Sequence, residues 1–496
     1  MTLHRKSAVN ARVRHLGVVA AVLALAVGCT RPDESSAGVE VGADNVVIDA
    51  VFANWNRPGG PGCALAVAVD GKQVYTRGYG YANLDYDIPV TPQTVFDVAS
   101  ITKQFVAASI TMLALEGKLS LDDGVRTWLP ELPEYDQVIT LRHMIGHTSG
   151  LRDYLNLFPL AGRDHYYPIS HAQILAMMSR QRALNFPPGQ QYLYSNTAYM
   201  LLAQVVERAS GQTLGDFVKA RIFQPLGMTG SLMYDNYERI IPRRATGYDV
   251  EADGRVRMVH NYNFDVAGDG QMYTTVEDLL RWDDYLHGAD KPAIYQAMLT
   301  EGRLSSGEPT GYAQGIELGE YRGLNTVQHT GSSWGSRSVL IRFVEPALSI
   351  AIACNDGNSS PLRLAREVAD HLLADQLEPR AEPDDDGAAN DEPAADPFVL
   401  GTVQLSAYTG TFFSEELDAT YRFAVVDDSL VVRIEQEPPL DARPITDDRF
   451  DLGFPDQSYW DQPLARIEFL RDEKGAINGF RLSSGSEHDI GFDKRP

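Results

Sequence analysis

The chain has few cysteines, few lysines and only one long hydrophobic run, and each scarcity excludes something. Eight lysines help bring the cations to 43 against 67 carboxylates, a net charge of -24 over 496 residues. That balance argues against nucleic acid or an anionic membrane surface as the main partner. The one long apolar run, residues 16–27, is short for a bilayer span, which rules out a membrane bundle. Hydrophobic residues at 44% and charged residues at 22% rule out wholesale disorder and suit a globular chain of two or three domains.

The apolar run follows Arg5, Lys6, Arg12 and Arg14, the order of an export leader. It ends Leu25-Ala-Val-Gly-Cys29, which resembles the lipobox of bacterial lipoproteins, with Ala26 standing where Leu is usual. The resemblance implies lipidation of Cys29 and a cell-envelope location on the periplasmic side. Cys63 and Cys354 then remain, both in β-like runs, and read as buried free thiols that an oxidising compartment would permit to pair.

The pattern along the chain divides into a signal peptide (1–28), a flexible spacer (29–45), a main domain (46–376), an acidic Pro/Ala linker (377–398) and a tail domain (399–496). The main domain opens with a hairpin signal: residues 64–69 are apolar and β-prone, Asp70-Gly71 is a turn pair, and residues 73–79 resume the strand. Strand patterns return at 338–343 and 348–353. Between them the periods are helical, as at 101–116, 172–180, 197–210 and 276–287. Strands at both ends with helices between predict an α+β unit whose sheet joins distant parts of the chain. In the tail, alternating runs at 421–426, 430–434, 466–470 and 476–482 predict a small antiparallel β-barrel or sandwich.

Ser100-Ile-Thr-Lys103 sets an alcohol and an amine three residues apart at the start of an apolar helix, so both project from one face. A serine hydroxyl is inert until a base takes its proton, and an amine kept neutral by desolvation and neighbouring positive charge can do so. Lys103 is the only lysine with serine at that spacing and sits in the apolar stretch 96–115. A phenol and an amide to move protons and hold substrate are offered by four Tyr-x-Asn tripeptides. Tyr194-Ser-Asn196 alone follows a Pro-Pro-Gly turn and caps an apolar helix. Those at Tyr81, Tyr154 and Tyr234 read as surface turns. His329-Thr330-Gly331 precedes a strand, where glycine lets an edge strand approach substrate and the Ser332 amide could join that of Ser100 as an oxyanion hole.

Together these motifs resemble the active-site trio of serine β-lactamases, penicillin-binding carboxypeptidases, D-aminopeptidases and related esterases. The likeness covers about residues 46–373 and extends to Asp97-Val-Ala-Ser-Ile-Thr-Lys103, His147-Thr-Ser-Gly-Leu151, Phe186-Pro-Pro-Gly189 and Gly270-Gln-Met-Tyr-Thr274. It implies a β-lactamase/transpeptidase-like fold, an antiparallel sheet flanked by helices with a helical lobe over the cleft. It implies Ser100 as nucleophile, Lys103 as base and Tyr194 as proton shuttle. Asn196, His329, Thr330, Gly331 and Ser332 become substrate-binding. No metal or organic cofactor is implied, and the expected partner is a small molecule or short peptide. β-Lactamases usually carry lysine where this chain has His329, and a neutral imidazole anchors a carboxylate weakly. Esters and small D-amino-acid peptides are therefore expected to be better substrates than penicillins.

Two other constellations compete. Gly331-Ser-Ser333-Trp-Gly335 fits the nucleophile elbow of α/β-hydrolases, which requires a helix after Ser333. His143 and His147 have helical metal-ligand spacing but lack the glutamate of zinc peptidases, and read as structural. A non-turnover, penicillin-recognising sensor on the same fold is the reading of a different class.

Overall fold

The computed structural model describes residues 46–163, 169–259, 264–288, 292–380, 398–435, 437–454 and 463–496. Cys29, the leader, the spacer and most of the linker lie outside the described residues. Among the described residues no helix is long and apolar enough to cross a membrane.

The first hairpin, β1 (Cys63–Val69) and β2 (Lys72–Tyr79), turns at Asp70 and Gly71, with φ of 49° and 72°. Two left-handed residues in succession give a turn whose twist matches the flanking strands. Later in the chain come β3 (Glu317–Tyr321), β4 (Leu324–Ser333), β5 (Ser336–Phe343) and β6 (Leu348–Cys354). They complete an antiparallel sheet in the order β3-β4-β5-β6-β1-β2, so the first and last thirds of the domain share one sheet. Cys63 lies directly opposite Cys354 on paired strands, and the two are joined by a disulfide. The expectation of free thiols is thus overturned: the register sets the two side chains on one face, side by side.

Alternation decides what covers each face. Leu65, Val67, Ile350 and Ile352 point to one side, where α1 (Val46–Val51) and α6 (Pro361–Leu372) pack. Ala64, Ala66, Ala68, Ala351 and Ala353 point to the other, and their small size admits α5 (Val276–His287) close against the strands. On that second side lie α2 (Thr102–Leu115), α3 (Tyr154–Leu160) and α4 (Asn196–Ser210). Residues 102–113 of α2 are buried without a break, the pattern of a helix enclosed on all sides.

The tail is a closed barrel of eight antiparallel strands, β7–β14: Gly410–Ser414, Ala419–Val426, Ser429–Ile434, Leu440–Thr446, Arg449–Gly453, Ala465–Arg471, Ile477–Ser484 and Glu487–Arg495. Closure removes the sheet edges that would otherwise template aggregation. Phe412, Phe423, Phe450, Phe469, Phe480 and Phe492 fill the interior, each worth roughly 2 kcal/mol of burial. The barrel docks on the helical lobe, where Tyr421, fully buried, donates to the Leu160 carbonyl at 2.8 Å.

Candidate active site

Ser100 lies in a 3-10 turn, Ala99–Ile101, that runs straight into α2. Ala99 is left-handed (φ 47°) and its amide donates to Asp97 Oδ1 at 2.8 Å, which presents the serine at the helix entrance. The strand-like residues 272–274 pair with 96–97 and bring the Asp269-Gly270-Gln271 loop beside it. Gly331 of β4 packs on the same segment: a Cβ there would lie 2.1 Å from the Val98 carbonyl. The glycine is needed for β4 to reach the nucleophile turn. Nor is β4 the sheet edge. β3 pairs it only from Leu324 to Gln328, so the stretch from His329 onward has no β3 partner on that side.

Lys103 is completely buried, its Nζ 3.1 Å from Ser100 Oγ. The amine donates to Asn196 Oδ1 at 3.0 Å and to the Asp269 carbonyl at 2.7 Å. Burial pushes its pKa down to about 8, against the pull of Asp269 and Asp153. Desolvation alone therefore lowers it; the neighbours are carboxylates, not the positive charge expected from the sequence. An uncharged amine has two hydrogens and one lone pair. With both hydrogens held by fixed oxygens, the lone pair is left facing Ser100.

The Tyr194 ring covers this amine, 4.8 Å from Nζ to the ring centre. Its hydroxyl is enclosed and makes no hydrogen bond of good geometry, although Ser100 is near enough to favour its ionised form. Burial outweighs that and raises the phenol well above 10, so it is a proton donor at neutral pH. Ser195 caps α4 through the Ala198 amide, and its own amide donates to His147 Nδ1 at 3.0 Å. His147 stacks against Tyr194 at 4.2 Å, bracing the tripeptide. His143 Nδ1 likewise accepts from the Thr140 amide, so both imidazoles serve local main chain, as structural residues do.

His329 is also buried, not displayed to substrate. Its Nδ1 donates to the Thr330 carbonyl at 2.6 Å and its Nε2 faces the Tyr312 hydroxyl at 3.1 Å. Burial, with Lys103 nearby, pushes its pKa down to about 3. The ring stays neutral with both nitrogens used inside the protein, so the substrate contact predicted for it is replaced by a supporting one. Ser332 is exposed and lines the cleft with Ser100, Asn196, Asp97, Asp269 and Trp334, around about 100 Å³ of open space. Among the described lining residues no side chain is cationic and two are carboxylates.

The rival serine falls to topology: β4 ends at Ser333 and turns into β5, so no helix follows to make an elbow. The surface-turn readings fail as well. Tyr81–Asn83 is a short strand, Tyr234 is buried in a small apolar cluster, and Tyr154 is buried in α3 with its hydroxyl donating to Asp269 Oδ2 at 2.9 Å. Asp153, Tyr154 and Asp269 are the site residues that sequence reasoning missed. The available signal was a charged pair, Arg152-Asp153, directly after the Ser149-Gly-Leu151 run of a matched motif.

An amine fixed against a serine on one helical turn, over an antiparallel sheet with a helical lobe, defines a serine hydrolase of β-lactamase/transpeptidase fold. Residues 47–375 match the beta-lactamase family, and the chain belongs to that family. It is 28% identical to a penicillin-binding protein of Bacillus subtilis over 86% of this chain and 94% of that one. It is 28% identical to a D-aminopeptidase of Gluconobacter oxydans over 64% of this chain, a match spanning 60% of that protein's length. An octameric penicillin-binding protein homologue from Pyrococcus abyssi has the same fold, with a TM-score of 0.57, 22% identity, and coverage of 90% and 99% of the two chains.

Proposed function

We propose that the chain is an exported hydrolase that forms an acyl-enzyme on Ser100, acting on esters or on amides and short peptides of D-amino acids, with weak β-lactam turnover at most. The observation that carries the chemistry is the Lys103 amine, its two hydrogens held by Asn196 and Asp269 and its lone pair left for Ser100. Neutral Lys103 takes the Ser100 proton as Oγ bonds to the substrate carbonyl carbon. The amides of Ser100 and Ser332 receive the oxyanion. Tyr194, protonated at neutral pH, passes its phenol proton to the departing nitrogen or oxygen and regains one from the Lys103 ammonium, so that the Ser100 proton ends on the leaving group; water then releases the acyl group. Asn196 holds the substrate amide while anchoring the base.

The charge of the cleft supports the substrate class. The side chains lining the cleft include two carboxylates and none is cationic, Lys103 being buried behind Ser100, which disfavours a penicillin carboxylate, whereas the ammonium of a D-amino-acid amide is complementary to Asp97 and Asp269. The D-aminopeptidase relatives point the same way. The leader and Cys29 place the protein, in this proposal, in the cell envelope on a lipid anchor; Cys29→Ser should move it from the detergent phase to the aqueous phase. The deciding experiment is a panel of nitrophenyl esters, D-amino-acid amides, muropeptides and β-lactams, with wild type beside Ser100→Ala. Penicillin turnover matching that of the best ester, or full activity in the alanine variant, overturns the proposal.

A further inference from the structure

Residues 152–156 are held between the active site and the barrel. On the site side, the Asn196 amide donates to Asp153 Oδ2 at 2.5 Å, and the Tyr154 amide donates to Thr197 Oγ1 at 2.8 Å. The Tyr154 hydroxyl holds Asp269. Asn196 and Asp269 are the two acceptors of the Lys103 amine, so this segment fixes both. On the other side the barrel supplies most of the grips, beside one from the main domain, where Arg152 donates to Gln181 Oε1 at 3.0 Å. Glu487, fully buried at the start of β14, accepts from the Asp153 amide at 3.0 Å through Oε1 and from Asn156 Nδ2 at 2.7 Å through Oε2. Arg152, also buried, pairs with Glu416 at 2.6 Å and donates to the His488 carbonyl at 2.7 Å.

We propose that the barrel is a working part of the active site, with Glu487 a positioning residue: it fixes the Asp153-Tyr154 segment, which sets Asn196 and Asp269 and so aims the Lys103 lone pair at Ser100. This rests on the assignment of Ser100 and Lys103 given above. No other element in the contact chain is as direct. One carboxylate from the tail touches the main chain of Asp153, and the side chain of that same residue touches the main chain of Asn196. A barrel serving only for stability would need burial at its interface, not two oxygens of one buried carboxylate spent on the segment that carries the site. A 1 Å misplacement of a catalytic group is costly even when it arises far from the chemistry.

The test uses the full chain. Reactive sites in wild type, Glu487→Ala and Glu487→Gln are counted with a fluorophosphonate, which phosphonylates the serine with loss of fluoride, and turnover of a nitrophenyl ester is expressed per counted site. Glu487→Ala should lower kcat per site about tenfold or more, with KM nearly unchanged. Glu487→Gln should recover most of it, since its amide oxygen can still accept from Asp153 while Asn156 turns its own amide to accept the new NH2. A fall in the number of reactive sites with kcat per site within twofold of wild type would mean that the barrel only stabilises, and the proposal is wrong. Should Glu487→Ala not fold, Asn156→Ala removes one of the same two bonds from the other side. It should lower kcat per site roughly threefold at least, and an unchanged value is equally fatal. Ser100→Ala is run alongside: if it keeps turnover, the assignment of the nucleophile has failed; if it is inactive while Glu487→Ala is unaffected, only the barrel's role has.

Discussion

The ionisation of Lys103 makes the sharpest kinetic prediction. With its pKa pushed down to about 8, roughly a tenth of the molecules carry the neutral amine at pH 7 and about nine tenths do at pH 9. Acylation of a nitrophenyl ester should therefore rise about tenfold per pH unit below 8 and level off above it. No imidazole of the site competes for that limb, because burial drives His147 and His329 well below 6.5. Tyr194 imposes no fall below pH 10, since its phenol is raised above that. Asp97 and Asp153, both pushed up to about 6 by burial, add a step only on the acid side. Asp269→Asn supplies the control. It retains an oxygen for the Tyr154 hydroxyl but removes the carboxylate that most opposes neutralisation of the amine, so the limb must move to lower pH. The assay is kcat/KM from pH 6 to 10, corrected for hydroxide. A limb near 6.5, a flat profile, or a shift upward in Asp269→Asn refutes the reasoning.

The same amine should cost the fold stability. Its native pKa lies below the unfolded value of 10.5, so between pH 8 and 10.5 the unfolded chain binds the extra proton and wild type gains stability as pH rises. Relative to Lys103→Met, that gain should approach about 3 kcal/mol across the window, read by urea unfolding of both proteins at pH 8 and 10.5; a constant difference contradicts it. Gly331→Ala sets a methyl group 2.1 Å from the Val98 carbonyl, which is main chain and cannot swing away. It should lose about 1–3 kcal/mol and most of the activity together, and a stable, active variant would show that the close approach is dispensable. Reducing the Cys63–Cys354 bond, which closes a separation of 291 residues, should lower the unfolding free energy by up to about 5 kcal/mol while leaving turnover at 25 °C intact. Thiol titration of the unfolded, unreduced protein that found both cysteines free would remove the premise.

What was legible in the sequence was local. Asp70-Gly71 names its own turn, the apolar run after Ser100 names its helix, and the spacing from Ser100 to Lys103 already places the amine at the alcohol. The alternation in the tail was enough for a small antiparallel barrel or sandwich, because period-two patterning marks the strands; closure into a barrel rests on pairing of its first and last strands, which are remote in sequence. What escaped depended on register and distance along the chain. Nothing near Cys63 says that residue 354 lies opposite it, and that pairing is a consequence of β6 lying beside β1. Tyr154-Leu-Asn156 looked like one surface turn among several because its partners, Asp269 and Glu487, are remote in sequence. His329 misled for a related reason. Its place in the motif suggested a group facing substrate, while the rings of Tyr312 and Tyr194 packed around it turn it into a buried support. The sign of the field on Lys103 was also a tertiary fact, set by carboxylates from two other segments.

The claim on which the account stands is that Ser100 carries the acyl group during turnover. Quenching the protein in acid during hydrolysis of a D-amino-acid ester and mapping the digest by mass spectrometry tests it directly. The acyl mass is predicted on the peptide containing Ser100, disappearing at a rate no slower than kcat and missing from Ser100→Ala. An adduct on Ser333, or full turnover with no adduct on Ser100, would contradict the account.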